Sequence, residues 1–268
     1  PSSAASDVYK RQMIKIEYSE LLVELRELAR DAGSEIMKIY KSSFDINYKE
    51  DGSPVTLADQ AAEKLILSKL KKIIPNIPIV SEENASSHEL EASDQFFLID
   101  PLDGTKEFLK KDELGSFTVN IGLIENSIPT LGVVFAPALN RMFFASNLTG
   151  AFEEFENGFK EIKIRAVPNS GPVAVASLSH RDELTDNWLL DNNVNKTISI
   201  GSSLKFCLVA CGEADVYPRF GPTMEWDTAA GDAVLRSAGG RVLLPNSLPF
   251  SYGKQSYRNG AFIAHGNF

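Results

Sequence analysis

Phe96-Phe97-Leu98-Ile99-Asp100-Pro101-Leu102-Asp103-Gly104-Thr105 is the stretch from which the rest of the chain reads. Its first four residues are continuously apolar, the pattern of a strand covered on both faces. Such a strand delivers Asp100 at its C-terminal end. Pro101 and Gly104 are turn formers, so the spacing predicts a turn that brings the Asp103 carboxylate beside that of Asp100. A helix is expected from Gly104 through Lys106-Glu107-Phe108-Leu109-Lys110, with the Gly104 and Thr105 amides aimed at the same spot. Two adjacent carboxylates repel each other unless a cation lies between them, and a helix N-terminus suits an anionic oxygen. The segment describes a metal-bridged phosphate site. Read by itself, it also fits an Asp cap followed by a turn Asp.

Three acidic positions outside this stretch strengthen the first reading. Glu82 follows the short apolar strand Ile77 to Val80, as Asp100 follows its own strand. Asp59 lies in the first turn of a helix expected over Thr56 to Ile74 and closed by Pro75, where an acid also simply favours the helix dipole. Asp227, in Glu225-Trp226-Asp227-Thr228-Ala229-Ala230, stands at the start of a helix expected over Thr228 to Ala238 and could be its cap. Hard divalent cations take carboxylate oxygens from several elements. Periodicity alone does not show that these four elements converge. Two cations have suggestive contexts. Lys205 falls in the first turn of a helix expected over 202–211, behind Gly201-Ser202-Ser203. Arg219, flanked by Pro218 and Pro222, sits on a constrained loop and suits bidentate phosphate contact. Each is also readable as a surface cation.

The organisation around these residues is mixed. Ser19 to Lys41 repeats Leu21, Leu22, Leu25, Leu28, Ala29, Ala32, Ile36 and Ile39 at helical spacing. Residues 45–55 read as a loop. Residues 117–155 read as an antiparallel meander. From about residue 172 strands and helices alternate, an α/β pattern, after a turn-rich stretch over 156–172. The expected division is 13–165 and 166–268, packed as one unit, with 1–12 an extension upstream of a natural start at Met13 and not a signal peptide. The chain has 268 residues, 43% of them hydrophobic, and a net charge of -9. That balance disfavours nucleic acid and anionic lipid at long range, and no apolar run is long enough for a membrane span. Cys207 and Cys211 read as buried thiols of a reducing compartment.

Ser53-Pro54-Val55-Thr56-Leu57-Ala58-Asp59, Ser81-Glu82-Glu83, Asp100-Pro101-Leu102-Asp103-Gly104-Thr105 and Trp226-Asp227-Thr228-Ala229-Ala230-Gly231, in this order, resemble the inositol monophosphatase family of metal-dependent, lithium-sensitive phosphatases. Residues 201–210, 217–223, 103–108 and Ser177-Leu178-Ser179-His180 are similar to its CysQ branch, 3′(2′),5′-bisphosphate nucleotidases that convert adenosine 3′,5′-bisphosphate to AMP. The resemblance implies a layered αβαβα fold in the α/β (α+β) class. It implies two or three Mg²⁺. Glu82, Asp100 and the Leu102 carbonyl would serve the first, and Asp100, Asp103 and Asp227 the second. Glu82 is also offered to a third. It implies that Asp59 and Thr105 orient and deprotonate the attacking water and that Gly104 and Thr105 amides hold the scissile phosphate. Ser202, Lys205, Arg219 and His180 would surround the nucleotide and its retained phosphate. The expected setting is a monomer acting on a small nucleotide bisphosphate in the cytoplasm or against the inner membrane face. The alternatives are an inositol monophosphatase, a fructose 1,6-bisphosphatase-like enzyme, and a non-catalytic metal- or phosphate-binding regulator.

Overall fold

The computed structural model describes residues 18–42, 46–48, 54–111, 115–177 and 182–268. The expectations placed on residues 1–12 and on His180 lie outside them. Helix α1 (Tyr18–Tyr40) buries Leu21, Leu22, Leu25, Leu28, Ala29, Ala32 and Ile36, the stripe its helical spacing predicts. The loop expected over 45–55 carries a short antiparallel ladder of β1 (Ile46–Tyr48) and β2 (Pro54–Thr56). Helix α2 (Leu57–Ile73) follows at a Thr56 N-cap.

Seven strands then build one sheet in chain order: β3 (Ile79–Ser81), β4 (Gln95–Asp103), β5 (Thr118–Glu125), β6 (Ile128–Ala136), β7 (Arg141–Ser146), β8 (Gly150–Phe155) and β9 (Gly158–Ile162). Helix α3 (Thr105–Lys110) interrupts the path from β4 to β5. Only β3 and β4 pair in parallel. The meander thus outruns its expected end at 155, because Asn157-Gly158 turns the chain into one more strand rather than out of the sheet.

The second half contains β10 (Val173–Ser177), α4 (Glu183–Asp191), β11 (Lys196–Ile200), α5 (Leu204–Ala210), β12 (Val216–Arg219), β13 (Thr223–Met224), α6 (Ala229–Ser237), β14 (Arg241–Leu243), β15 (Arg258–Asn259) and β16 (Phe262–His265). Its main sheet has the order β11-β10-β12-β16-β14. The last strand enters antiparallel between β12 and β14.

The layers run α–β–α–β–α. Leu25, Leu28 and Ile36 of α1 and Ala62 and Ile66 of α2 pack with Phe97, Ile99, Leu123 and Val133 on one face of the large sheet. On its other face Phe96, Leu98 and Val134 share a core with Phe206 of α5, Ala230 and Val234 of α6, and Val175, Tyr217 and Phe262 of the second sheet. Leu189 of α4 covers the far side of that sheet with Ala174, Val216 and Ile263.

Two local features aim the acidic residues. Gly122 on β5 and Gly132 on β6 are register partners. A Cβ on Gly132 would lie 2.3 Å from the Ala230 carbonyl oxygen, and one on Gly122 2.9 Å from the Ala229 Cβ. The start of α6 therefore rests directly on the sheet backbone, next to the turn that carries Asp227. The second feature corrects an expectation. β4 does not turn at Pro101 but continues to Asp103. Asp100 pairs with Asn120 and Asp103 with Thr118, with an irregularity between them. At a bulge, proline's missing N–H disturbs no ladder bond. The turn comes at Gly104, whose φ of +90° a side chain would strain.

Candidate active site

A cleft of about 260 Å³ opens between the two halves. Glu82, Asp103, Gly104, Thr105, Asp227 and Thr228 line it together with Ser202, Lys205, Tyr217 and Arg219. Asp59 and Asp100 stand behind this lining, 2% and 1% exposed. The structure therefore brings together every expected site residue that it describes.

Asp100 is buried, and Glu82, Asp103 and Asp227 are half-buried around it. Burial pushes the Asp100 carboxyl well above its ordinary range, and Glu82, Asp103 and Asp227 push it further, together with a hydrogen bond to Glu82. A carboxyl–carboxyl hydrogen bond requires a proton on one partner. Asp227 is likewise raised by burial, then by Asp103 and Glu82. Burial lifts Asp103 to about 6, although Lys205 and the Ser203 amide oppose the rise. Among the described residues, no three acidic, His or Cys side chains close on a single point at ligand distance. The acids instead take backbone donors: Asp103 Oδ2 accepts from Ser203 N at 2.6 Å, Asp227 Oδ2 from Met224 N at 2.9 Å and Asp100 Oδ1 from Leu102 N at 3.0 Å. A set of oxygen donors whose charges repel fits a hard divalent cation and offers nothing to a thiolate- or imidazole-seeking metal.

Asp59 and Thr105 form a second group. Asp59 Oδ2 accepts from the Thr56 amide and the Thr56 hydroxyl, each at 2.7 Å. Its Oδ1 lies 3.3 Å from Thr105 Oγ1, which stands equally far from the Leu102 carbonyl. That hydroxyl can donate to one of the two at a time. Burial raises Asp59 to about 6, against the lowering effect of the Thr56 bonds.

The cationic wall is built differently. Lys205, 4% exposed, donates to the Ser202 carbonyl at 2.5 Å. Burial lowers its ammonium to about 8; Asp103 opposes this and Arg219 adds to it. Arg219 donates to the carbonyls of Gly221 at 3.3 Å and Pro222 at 3.0 Å, so its own loop orients it. Ser202 has φ +53°, and its hydroxyl is buried with no hydrogen-bond partner. Such an orphan is rare in native proteins, and this one lies in the cleft lining. Two neighbouring cations and an unmatched hydroxyl have the chemistry to receive an anion.

Several contributors were not legible from motifs. Ser203 Oγ bonds Asn120 Oδ1 at 2.6 Å and Thr118 Oγ1 at 2.9 Å. Asn120 Nδ2 reaches Asp103 at 3.4 Å. The Gly201 amide donates to Ser116 Oγ at 3.0 Å. This network ties β5 to the start of α5, and thereby Asp103 to Lys205. Its only advance signal is that Thr118 and Asn120 interrupt the otherwise apolar run of residues 117–124.

Residues 17–266 match the sequence model of the inositol monophosphatase family. This chain belongs to the inositol monophosphatase family. Membership makes it a divalent-metal phosphatase. Among its relatives, the 3′(2′),5′-bisphosphate nucleotidase CysQ of Salmonella typhimurium is 47% identical over 226 residues, 83% of this chain and 89% of the relative. The protein of the same name from Escherichia coli K12 is 44% identical over 247 residues, 90% of this chain and 98% of its own. The crystal structure of CysQ from Bacteroides thetaiotaomicron, described as a bacterial member of the family, superposes with a TM-score of 0.81 at 35% identity, covering 95% of this chain and 100% of that one. No helix among the described residues is long and apolar enough to cross a membrane.

Proposed function

We propose that this chain is a Mg²⁺-dependent 3′(2′),5′-bisphosphate nucleotidase that converts adenosine 3′,5′-bisphosphate to AMP and phosphate. The observation that carries the reading is one cleft lined both by carboxylates and by the cations Lys205 and Arg219. A substrate with a phosphate to lose and another to keep matches both sets of side chains. The CysQ relatives, at 44–47% identity over most of the chain, support the same substrate.

In this reading Glu82, Asp100 and the Leu102 carbonyl would hold one Mg²⁺, and Asp100, Asp103 and Asp227 a second, with Glu82 also offered to a third. Mg²⁺ supplies charge neutralisation and water activation when bound. The chain's own residues do the rest. A water hydrogen bonds to Thr105 Oγ1, and the Thr105 hydroxyl donates to Asp59 Oδ1. The proton the water gives up passes along that pair to Asp59, whose raised pKa makes it a stronger base than an ordinary carboxylate while leaving it largely ionised near neutrality. Gly104 and Thr105 amides steady the scissile phosphate. Lys205 and Arg219, with the Ser202 hydroxyl, clamp the phosphate that stays, and His180 belongs to the same nucleotide-binding group.

Phosphate release from adenosine 3′,5′-bisphosphate, inositol 1-phosphate and fructose 1,6-bisphosphate with Mg²⁺ tests the reading. The expected result is that kcat/KM for the nucleotide exceeds the others by at least tenfold. A preference for either sugar phosphate overturns it.

A further inference from the structure

His88 lies in the loop after Glu82 and has no place in the machinery above, yet its ring is fixed at two points. Nε2 lies 2.8 Å from the Ser81 carbonyl oxygen, so Nε2 must carry the proton, since a carbonyl only accepts. The ring face stacks on Trp226 with centroids 4.6 Å apart and planes at 23°. Ser81 immediately precedes Glu82, and Trp226 immediately precedes Asp227. The imidazole therefore spans the two chain segments that carry these acids.

Other bonds close the span into a ring. The Tyr257 hydroxyl donates to the Leu90 carbonyl at 2.7 Å, and the Glu225 amide donates to the Tyr257 carbonyl at 2.8 Å. From Ser81 through His88 to Trp226, back through Glu225 and Tyr257 to Leu90, every link is a hydrogen bond, a ring stack or a few residues of chain. Within this ring Glu82 and Asp227 repel each other, Glu82 being one of the charges that raise Asp227. Like charges left to themselves separate. An aromatic stack with one fixed hydrogen bond opposes that separation.

We propose that His88 is a positioning residue that holds Glu82 and Asp227 at the separation a cation needs in order to engage both sides of the site. The inference rests on the reading of these two acids as cation ligands. Groups that orient metal ligands from behind typically change metal affinity by about 10- to 100-fold.

Isothermal titration of the full chain with Mg²⁺ alone tests it without recourse to activity. His88→Ala is expected to weaken Mg²⁺ binding about tenfold or more. His88→Phe, which keeps the ring face, and His88→Gln, which keeps a donor for the Ser81 carbonyl, are each expected to recover part of the loss. In the phosphatase assay, the Mg²⁺ concentration for half-maximal rate should rise by the same factor while kcat at saturating Mg²⁺ stays within about threefold. Unchanged Mg²⁺ affinity in a folded His88→Ala variant overturns the proposal. So does an equal loss in all three variants, which marks a merely structural role. If the unsubstituted chain binds no Mg²⁺, the reading of Glu82 and Asp227 as ligands falls first, and the role of His88 with it.

Discussion

Glu225 and Asp227, separated only by Trp226, surround their carboxylates in opposite ways. Glu225 is fully buried and saturated: it accepts from the Gly253 amide at 2.8 Å and from the Lys254 amide and ammonium, each at 2.9 Å. Asp215, 1% exposed, is treated alike, with both oxygens on Arg165 at 2.9 Å and the Val173 amide at 2.7 Å. Burial would raise its carboxyl, but these bonds outweigh burial and hold it below the usual range. Burial and the repulsion of neighbouring acids raise Asp227, Asp100 and Asp103, although Lys205 and the Ser203 amide oppose the rise at Asp103. One fold thus contains carboxylates satisfied by protein cations and carboxylates left for something else. Asp100 is as deeply buried as Glu225 and Asp215, so for it the difference lies in the company it keeps.

Substitution at matched members of the two groups gives the largest contrast. Asp103→Asn should remove activity by a hundredfold or more at saturating Mg²⁺, because an amide does not neutralise a cation, and should leave Tm without Mg²⁺ unchanged or higher. Asp215→Asn should do the reverse. Loss of charge-assisted bonds worth about 1.5–3 kcal/mol should lower Tm by several degrees, with kcat within about twofold where the protein is folded. If Asp103→Asn keeps a third of the activity, or if both variants lose stability alike, the two groups are one.

Thr105→Ala tests the boundary between them, since Asp59 is both a capping-box acid for α2 and the proposed proton acceptor. Turnover should fall about 10²–10⁴-fold, the value of a general-base relay, with little change in Mg²⁺ affinity. A loss cured entirely by more Mg²⁺ would assign Thr105 to the helix start alone.

The same contrast explains what could be read before the fold was known. Asp100, Asp103, Gly104 and Thr105 are contiguous, so local turn chemistry was enough to group them. Glu82, Asp59 and Asp227 were recognisable as acids at element ends, but their convergence depends on sheet register and on the close approach of α6 at Gly122 and Gly132. The Thr118–Asn120–Ser203 network joins a strand to a helix start 83 residues away in sequence, a pairing that no local pattern specifies. The strand through Pro101 defeated the turn rule because pairing with β5 continues past Asp100. β16 was missed for a similar reason: a short strand inserted between two others is specified by its neighbours, not by its own pattern.

A smaller effect is expected on the cationic wall. Arg219→Ala should lower kcat/KM for adenosine 3′,5′-bisphosphate about 10- to 150-fold, the worth of one charge-assisted bond. It should change little for adenosine 3′-monophosphate, which has no retained phosphate. Equal losses on the two substrates would mean that Arg219 supports the loop through Gly221 and Pro222 rather than the ligand, and would remove the main physical support for the bisphosphate over a sugar phosphate.

The smallest effect is on stability against pH, and its sign separates the two groups of acids. Asp59 and Asp103 are both raised from 3.8 to about 6. Between these values the unfolded chain has lost protons that the folded chain keeps, so stability must fall as pH rises from about 4 to about 6 and level off above. Asp215 is lowered, so it contributes stability above the ordinary carboxylate range and loses it as acid is added below that range. Without Mg²⁺, the raised acids should make Tm at pH 5 higher than at pH 8, by about 2–8 °C for a chain of this size. Mg²⁺ should close most of that gap by stabilising the protein at pH 8 far more than at pH 5, where protons compete for the same oxygens. Asp103→Asn should flatten the slope between pH 4 and 6, and Asp215→Asn should leave it in place. Thermal melts at both pH values, with and without Mg²⁺, decide the matter. A Tm without Mg²⁺ that rises from pH 5 to pH 8 would mean that the cleft acids are as well satisfied by the protein as Asp215 is, and the contrast between the two groups would not stand.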